Sequence, residues 1–209
     1  MARIKEGILG GFQGKVGTVS GSITEDGKCI IRSLPKSYKK SKSADYVENK
    51  SAFGVAQKLS RYLLKVVRIG FALTDGRPYN QAISYYRNNV VEQDADGKIS
   101  IDFTKLLISI GTLTPLVDLH SSLDGNELTV TWTDNSGKYS AKDTDQILLA
   151  LVDPMMKHLQ YSFAEATRAD GKLKIALDKS WDDVPFMVYA GCVSADGKMV
   201  ANSVLADEG

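Results

Sequence analysis

Leu128-Thr129-Val130-Thr131-Trp132-Thr133 is the stretch that decides the fold of the carboxyl-terminal half. Apolar and polar side chains alternate strictly in it, which is the period of a strand with one buried face. The same half of the chain contains six further runs of strand-like residues. Turn residues separate these runs at the spacing typical of a β-sandwich. The six runs are Val117–Leu119, Gln146–Val152, Leu159–Ala166, Lys172–Leu177, Phe186–Val193 and Met199–Leu205. This profile predicts an immunoglobulin-like or fibronectin-like β-sandwich over residues 115–209.

Residues 1–114 show other periods. Strand-like runs at Lys15–Thr24 and Lys28–Leu34 flank a turn at Asp26-Gly27 and predict a β-hairpin. Apolar residues then recur every three or four positions from Ser43 to Leu73, which predicts an amphipathic helix. A second helix is expected from Pro78, and a strand over 98–110. The predicted fold is therefore α+β, with a hairpin and helical domain at 1–114 and a sandwich domain at 115–209.

The amino-terminal segment is dense in glycine. Glycine loses more backbone entropy on ordering than any other residue. Such a segment therefore becomes ordered only where contacts with a partner offset this loss of entropy. Glycine also lets another backbone approach closely. We therefore expect this arm to dock on a neighbouring copy of the chain. The predicted assembly interface comprises Gly7, Gly10, Gly11, Phe12, Gly14, Gly17 and Gly21.

Charge is unevenly distributed along the chain. Residues 1–68 hold 14 Lys and Arg against 5 Asp and Glu, and the remainder holds 12 against 20. Such asymmetry suits a nucleic-acid-binding arm, or contacts between the positive end of one subunit and the negative end of the next. Residues 28–42 are the candidate polyanion contact, through Lys28, Arg32, Lys36, Lys39, Lys40 and Lys42, with Tyr38 available to stack on a base.

No residue pattern indicates catalysis. Gly14-Lys15 lacks the glycine five residues earlier and the following Ser or Thr that a phosphate-binding loop requires. His120 and His158 have no Cys or His at metal-ligand spacing. The loop from Asp134 to Asp145 offers oxygens to calcium, but a solvated acidic loop is the favoured interpretation. We expect a protein that is not an enzyme and that has no cofactor or metal.

The sequence also gives expectations for the cellular compartment and for the state of the two cysteines. The chain begins without a recognisable secretory signal and contains no apolar run long enough to span a membrane, so synthesis in the cytoplasm is expected. The final location of the protein is left open by the sequence, and an extracellular or virion-like assembly is one of the options. Cys29 and Cys192 lie in separate strand-like runs. Two buried, reduced thiols are favoured over a disulfide between them.

The amino terminus carries a longer motif, Met1-Ala2-Arg3-Ile4-Lys5-x-Gly7-Ile8-Leu9-Gly10-Gly11-Phe12-x-Gly14-Lys15-Val16-Gly17-Thr18-Val19. Together with Ile31-Arg32-Ser33-Leu34-Pro35 and the region around Asn49–Phe53, it resembles a family of uncharacterised bacterial proteins common in Bacteroidota. The resemblance spans nearly the whole chain. It implies membership of a family without an established activity, and it supplies no mechanism.

The function expected from these observations is a non-enzymatic structural protein that self-assembles through its amino-terminal arm, as a filament or phage-like assembly subunit. Two alternatives remain open. In the first, the sandwich binds a glycan or peptide on Tyr139, Tyr161, Tyr189, Trp132 and Trp181. In the second, segment 28–42 binds nucleic acid.

Overall fold

The structure, a computed structural model, describes residues 3–4, 11–34, 44–94 and 98–208, with side chains described in these ranges except at 3–4, 44–50 and 208. The chain divides into two compact units, residues 1–42 and residues 43–209. None of the helices in the described residues has the length and hydrophobicity needed to cross a membrane.

The first unit is a small antiparallel sheet with the strand order β1-β2-β3-β4. Its strands are β1 (Arg3–Ile4), β2 (Phe12–Val16), β3 (Val19–Ile23) and β4 (Cys29–Ser33). The run Lys15–Thr24, predicted as one strand, contributes to two. Gly17 adopts a φ of +54°, which turns the chain so that Val16 pairs with Val19.

The second unit begins with three helices, α1 (Ala44–Tyr62), α2 (Leu64–Gly70) and α3 (Pro78–Asn89). The single helix predicted from Ser43 to Leu73 is interrupted at Leu63, although hydrogen bonds continue through that residue to Leu59 and Val67. Pro78 occupies the first turn of α3, where its missing N–H costs nothing. Ser43, where the predicted helix begins, lies outside the described residues.

A short hairpin follows the helices, formed by β5 (Val91–Gln93) and β6 (Ile99–Ile101). The predicted strand over 98–110 ends early, at Ile101. Asp102 then accepts a hydrogen bond from the backbone N–H of Thr104 at 3.0 Å and caps a short 3-10 helix at Phe103–Lys105. A side-chain cap of this kind favours a turn over a continued strand.

Residues 113–208 form two four-stranded sheets. One has the order β10-β9-β12-β13 and the other β11-β8-β7-β14. The strands are β7 (Val117–Asp124), β8 (Glu127–Thr133), β9 (Gln146–Val152), β10 (Leu159–Thr167), β11 (Lys172–Ala176), β12 (Met187–Val193), β13 (Val204–Leu205) and β14 (Asp207–Glu208). Each predicted run of the sandwich thus contributes a strand, except that the last is shortened and followed by β14.

Both faces of β9 are covered. Ile147, Leu149 and Leu151 belong to a core shared with the strands of the second sheet. Leu148 and Val152 belong to a different core, which the three helices build. The second unit therefore has three layers, in which a sheet lies between helices and another sheet. This burial explains why Gln146–Val152 is almost continuously apolar rather than alternating.

Along the chain, the boundary between the compact units falls between residues 42 and 43, whereas the predicted domain boundary lies between residues 114 and 115. The difference arises because the helices bury their apolar side on the sandwich. Leu59, Val66 and Tyr86 share a core with Leu148 and Tyr189. Tyr86 and Tyr189 also donate hydrogen bonds to the carbonyl oxygens of Leu107 and Phe103, at 3.0 and 2.7 Å. The segment that connects helices to strands is thereby part of the same unit.

Candidate assembly interface

The amino-terminal sheet has two chemically distinct faces. Cross-strand partners point to the same side of a sheet, so the register places Lys15, Ser20 and Arg32 on one face. By the alternation along each strand, Gln13, Ser22 and Ile30 share that face. The other face carries nearly all the larger apolar side chains of this sheet, namely Phe12, Val16, Val19, Ile23, Cys29 and Ile31. We call these two sides the polar face and the apolar face.

The apolar face is largely open to solvent. Val16 is 50%, Ile23 is 36% and Ile31 is 59% exposed. Phe12 and Val19 are only partly buried. An isolated sheet gains stability when its apolar face packs against another layer, and for these side chains the described residues provide little cover. The apolar face is therefore the candidate contact surface of the first unit.

Two glycines of the predicted interface, Gly17 and Gly21, serve the sheet itself. A Cβ at Gly21 would lie 2.4 Å from the carbonyl oxygen of Phe12 and 2.8 Å from its ring, so the absence of a side chain makes room for Phe12. Gly17 supplies the turn between β2 and β3. Gly7 and Gly10 lie outside the described residues. The sequence predicted that these glycines let a neighbouring molecule approach the backbone closely. At Gly21, the group that approaches closely is Phe12 of the same chain.

The residues that the sequence analysis missed are Val16, Ile23 and Ile31. Their positions in the sequence suggest ordinary core residues of a hairpin. Only the cross-strand register shows that they share one face, and only the structure shows that this face is open. The sequence offers little signal here, because the apolar Ile30 stands between Cys29 and Ile31 and breaks the alternation.

The predicted polyanion contact is only partly described. Lys28 and Arg32 are exposed, and Arg32 shares the polar face with Lys15. Lys36, Lys39, Lys40 and Lys42 lie outside the described residues, as does Tyr38. No aromatic residue occupies the polar face among the described positions of β2, β3 and β4, so a platform for stacking bases is not formed there.

Strand β4 has an open edge. Its only strand partner among the described residues is β3, which uses one side of its backbone. The other side presents N–H and C=O groups that a further strand can bind by β-addition. An apolar face and an open edge therefore occur on the same strand.

The two cysteines are free thiols in different surroundings. Cys192 is buried in the sandwich core, and burial raises the pKa of its thiol to about 12. Cys29 is exposed on the apolar face of the first unit. The expectation of two reduced thiols agrees with this structure. The expectation that both thiols are buried is wrong at Cys29, because the described residues place no covering layer on the face that carries it.

A buried polar cluster explains the acidic loop between Asp134 and Asp145. Arg168 is fully buried and donates a hydrogen bond from Nε to Asp145 Oδ2 at 3.1 Å. Its guanidinium also donates to Asn135 Oδ1 and to the carbonyl oxygens of Pro115 and Thr114. Arg168, which Asn135 and Asp145 hold in place, thus ties residues 114–115 just before β7 to the sandwich, and the role of the cluster is structural.

The aromatic residues considered for a glycan or peptide site do not form one surface. Trp132, Trp181 and Tyr189 are buried, with 6% exposure or less. Trp181 packs beside His158, with ring centroids 5.8 Å apart. Tyr139 and Tyr161 are exposed, Tyr139 completely. A ligand-stacking platform made from all five is therefore excluded by the burial of three of them.

Residues 11–206 match the model of a family described as a family of unknown function, DUF6266. The chain belongs to this family. The prediction of an uncharacterised family is thereby confirmed, while the Bacteroidota origin and the amino-terminal motif as a mark of that family stay predictions. No curated protein matches the chain. Among solved structures, the chain is similar to the fn3 domain of the human collagen alpha-1(XX) chain, with 15% identity and a TM-score of 0.34, over 45% of this chain and 81% of that one.

Proposed function

We propose that this member of the DUF6266 family is a non-enzymatic structural protein whose copies assemble through the amino-terminal sheet. The observation that carries the proposal is the exposed apolar face of that sheet, with Ile31 on its edge strand β4. The three-layered unit is the rigid body of the subunit, and the sheet is its connector.

The size of the first unit supports this proposal. It spans 42 residues and contains no disulfide or metal cluster among its described residues. Units of about this length usually need cross-links, metals or association to stay folded. Covering the apolar face with a second molecule supplies the missing layer, and the hydrophobic effect rewards it by about 25 cal/mol for each Å² of apolar surface removed from water.

The charges of the two units favour a head-to-tail contact between copies. Residues 1–42 hold 9 Lys and Arg against 3 Asp and Glu, whereas residues 43–209 hold 17 against 22. The first unit is therefore formally +6 and the second −5. Opposite charges favour contact between the first unit of one copy and the second unit of the next. Such a head-to-tail interface generates rings or open filaments, which is why we propose a filament or phage-like assembly subunit.

Ile31→Asp is expected to weaken assembly at least tenfold in concentration. The substitution removes an apolar side chain whose full burial is worth about 1.5–3 kcal/mol and places a charge in the contact. Sedimentation velocity over a range of protein concentrations measures the shift. Ser22→Asp is the matched control, since it adds the same charge to the polar face of the same sheet. A wild-type chain that stays monomeric up to millimolar concentration contradicts the proposal.

Cys29 provides a second measurement without any substitution. In dilute protein we expect one thiol per chain to react with a maleimide, because Cys29 is exposed and Cys192 is buried. As the concentration rises, assembly covers the apolar face and the rate at Cys29 falls. A rate that does not depend on protein concentration, in samples shown by light scattering to assemble, argues that the apolar face is not the contact.

A further inference from the structure

A groove opens between the two sheets of the sandwich, next to the strands β7, β12 and β13. Its volume is about 590 Å³, and its lining includes Ser122, Leu123, Leu128, Phe186, Leu205 and Asp207. Most of the side chains that reach into it are apolar. Grooves of this kind on a sheet edge are where extended chains bind by β-addition.

Leu123 shows that the groove is a gap in the sandwich core. It lies on the same face of β7 as the buried Leu119, so its position in the strand directs it inward. It pairs across strands with Leu128, which is 1% exposed. Leu123 itself is 52% exposed. An inward-facing leucine is thus left without the layer that covers its neighbour.

The backbone of β7 is also open at this point. Strand β14 pairs with β7 at His120 and Ser121 only. Beyond Ser121, no strand among the described residues pairs with that side of β7. Residues 122–124 can therefore accept main-chain hydrogen bonds from an incoming strand, directly beside the exposed side chain of Leu123.

The surroundings of the groove are acidic. Asp207 lines the groove itself, and Asp182 and Asp183 line an adjoining hollow that also includes Leu123. No Lys or Arg lines either space among the described residues. A cationic strand with apolar residues on one side suits this site. Strand β4 and the residue before it have that composition, with Ile31 on the apolar face, Arg32 next to it and Lys28 just before the strand.

We infer that the groove is the acceptor site for strand β4 of a second copy of this chain. The open edge of β4 pairs with residues 122–124 of β7, and Ile31 enters the gap beside Leu123. Arg32 then points away from the core, toward the carboxylates around the groove. This inference rests on the proposed function and adds the surface that receives the connector.

Disulfide cross-linking between two different variants tests the inference. One copy carries Cys29→Ser, Ile31→Cys and a small tag; the other carries Cys29→Ser together with Leu123→Cys. The inferred pairing places position 31 beside position 123, so β-addition brings the two introduced thiols within reach of a disulfide. After mild oxidation of the mixture, we expect a covalent heterodimer that neither variant forms alone. Phe53→Cys in place of Leu123→Cys is the control, because Phe53 is similarly exposed, at 49%, on helix α1.

The expected yield at position 123 is at least tenfold above that at position 53. Equal yields at the two positions overturn the acceptor site. Leu123→Asp supplies an independent readout, since it places a charge in the gap without emptying a filled core position. If wild-type chains assemble and Leu123→Asp chains assemble equally well, the groove is not the acceptor although the proposed function stands. If wild-type chains do not assemble, both proposals fail.

Discussion

Arg168→Ala is expected to lower the free energy of unfolding of the second unit by about 3–5 kcal/mol, the cost of removing one partner from a buried ion pair. The side chains of both Arg168 and Asp145 are inaccessible to solvent. Without the guanidinium, the carboxylate of Asp145 stays in the interior with no opposite charge beside it. The oxygen of Asn135 and the carbonyl of Thr114 lose the hydrogen bonds from the guanidinium, and the carbonyl of Pro115 keeps only the one that Asn135 Nδ2 donates.

Urea denaturation followed by circular dichroism measures this change. Lys174→Ala is the matched control, because Lys174 pairs with Glu127 at 2.5 Å while both side chains stay more than half exposed. Exposed pairs contribute little to stability, so the control midpoint should remain near that of the wild type. A similar small effect for Arg168→Ala would mean that the cluster is not needed to hold the start of β7.

Gly70→Ala is expected to destabilise the same unit by about 1–3 kcal/mol through overpacking. Gly70 ends helix α2 where the segment 108–110 crosses it. An added Cβ would lie 2.0 Å from the carbonyl oxygen of Ile108 and 2.7 Å from Cα of Ser109. The backbone of the two segments is further tied by a hydrogen bond of 3.0 Å from the Ile110 N–H to the Gly70 carbonyl. The segment must move to admit even one methyl group.

Gly54→Ala is the opposite case and serves as control. Gly54 lies inside helix α1, and nothing stands within 4 Å of the Cβ that alanine would add. Alanine has the higher helix propensity, so this substitution should raise the free energy of unfolding by about 0.5–1 kcal/mol. Thermal unfolding of both variants gives the comparison. If Gly70→Ala is as stable as Gly54→Ala, the close crossing of α2 and the 108–110 segment is absent in solution.

Local patterns predicted those elements whose environment repeats along the chain. Leu128, Val130 and Trp132 face one core while the intervening threonines do not, so the period of two was sufficient to find β8. The run at Gln146–Val152 was found for its apolar content, but its role could not be read from the sequence. A continuous apolar strand needs two covering layers, and the helices that supply one of them lie far away in the sequence.

The interface predicted at the amino terminus stays a prediction. Its glycines lie in the segment that carries the open apolar face, and Gly21 makes room for Phe12 within the sheet. The side chain on which the proposal depends, Ile31, has no distinguishing neighbour in the sequence. Its 59% exposure depends on which other parts of the molecule pack on it, and a sequence pattern does not encode that.

What the sequence determined by itself is the approximate position of the sandwich strands, the helical character of the segment before them, and the opposition of charge between the two ends, because side-chain period and charge are carried by short stretches of chain. What only the tertiary structure decided is which apolar residues remain uncovered. Leu119 and Leu123 have the same place in the alternation of β7, yet one is 2% and the other 52% exposed. Burial depends on layers brought together from distant parts of the chain, so two residues that the sequence cannot distinguish have different roles.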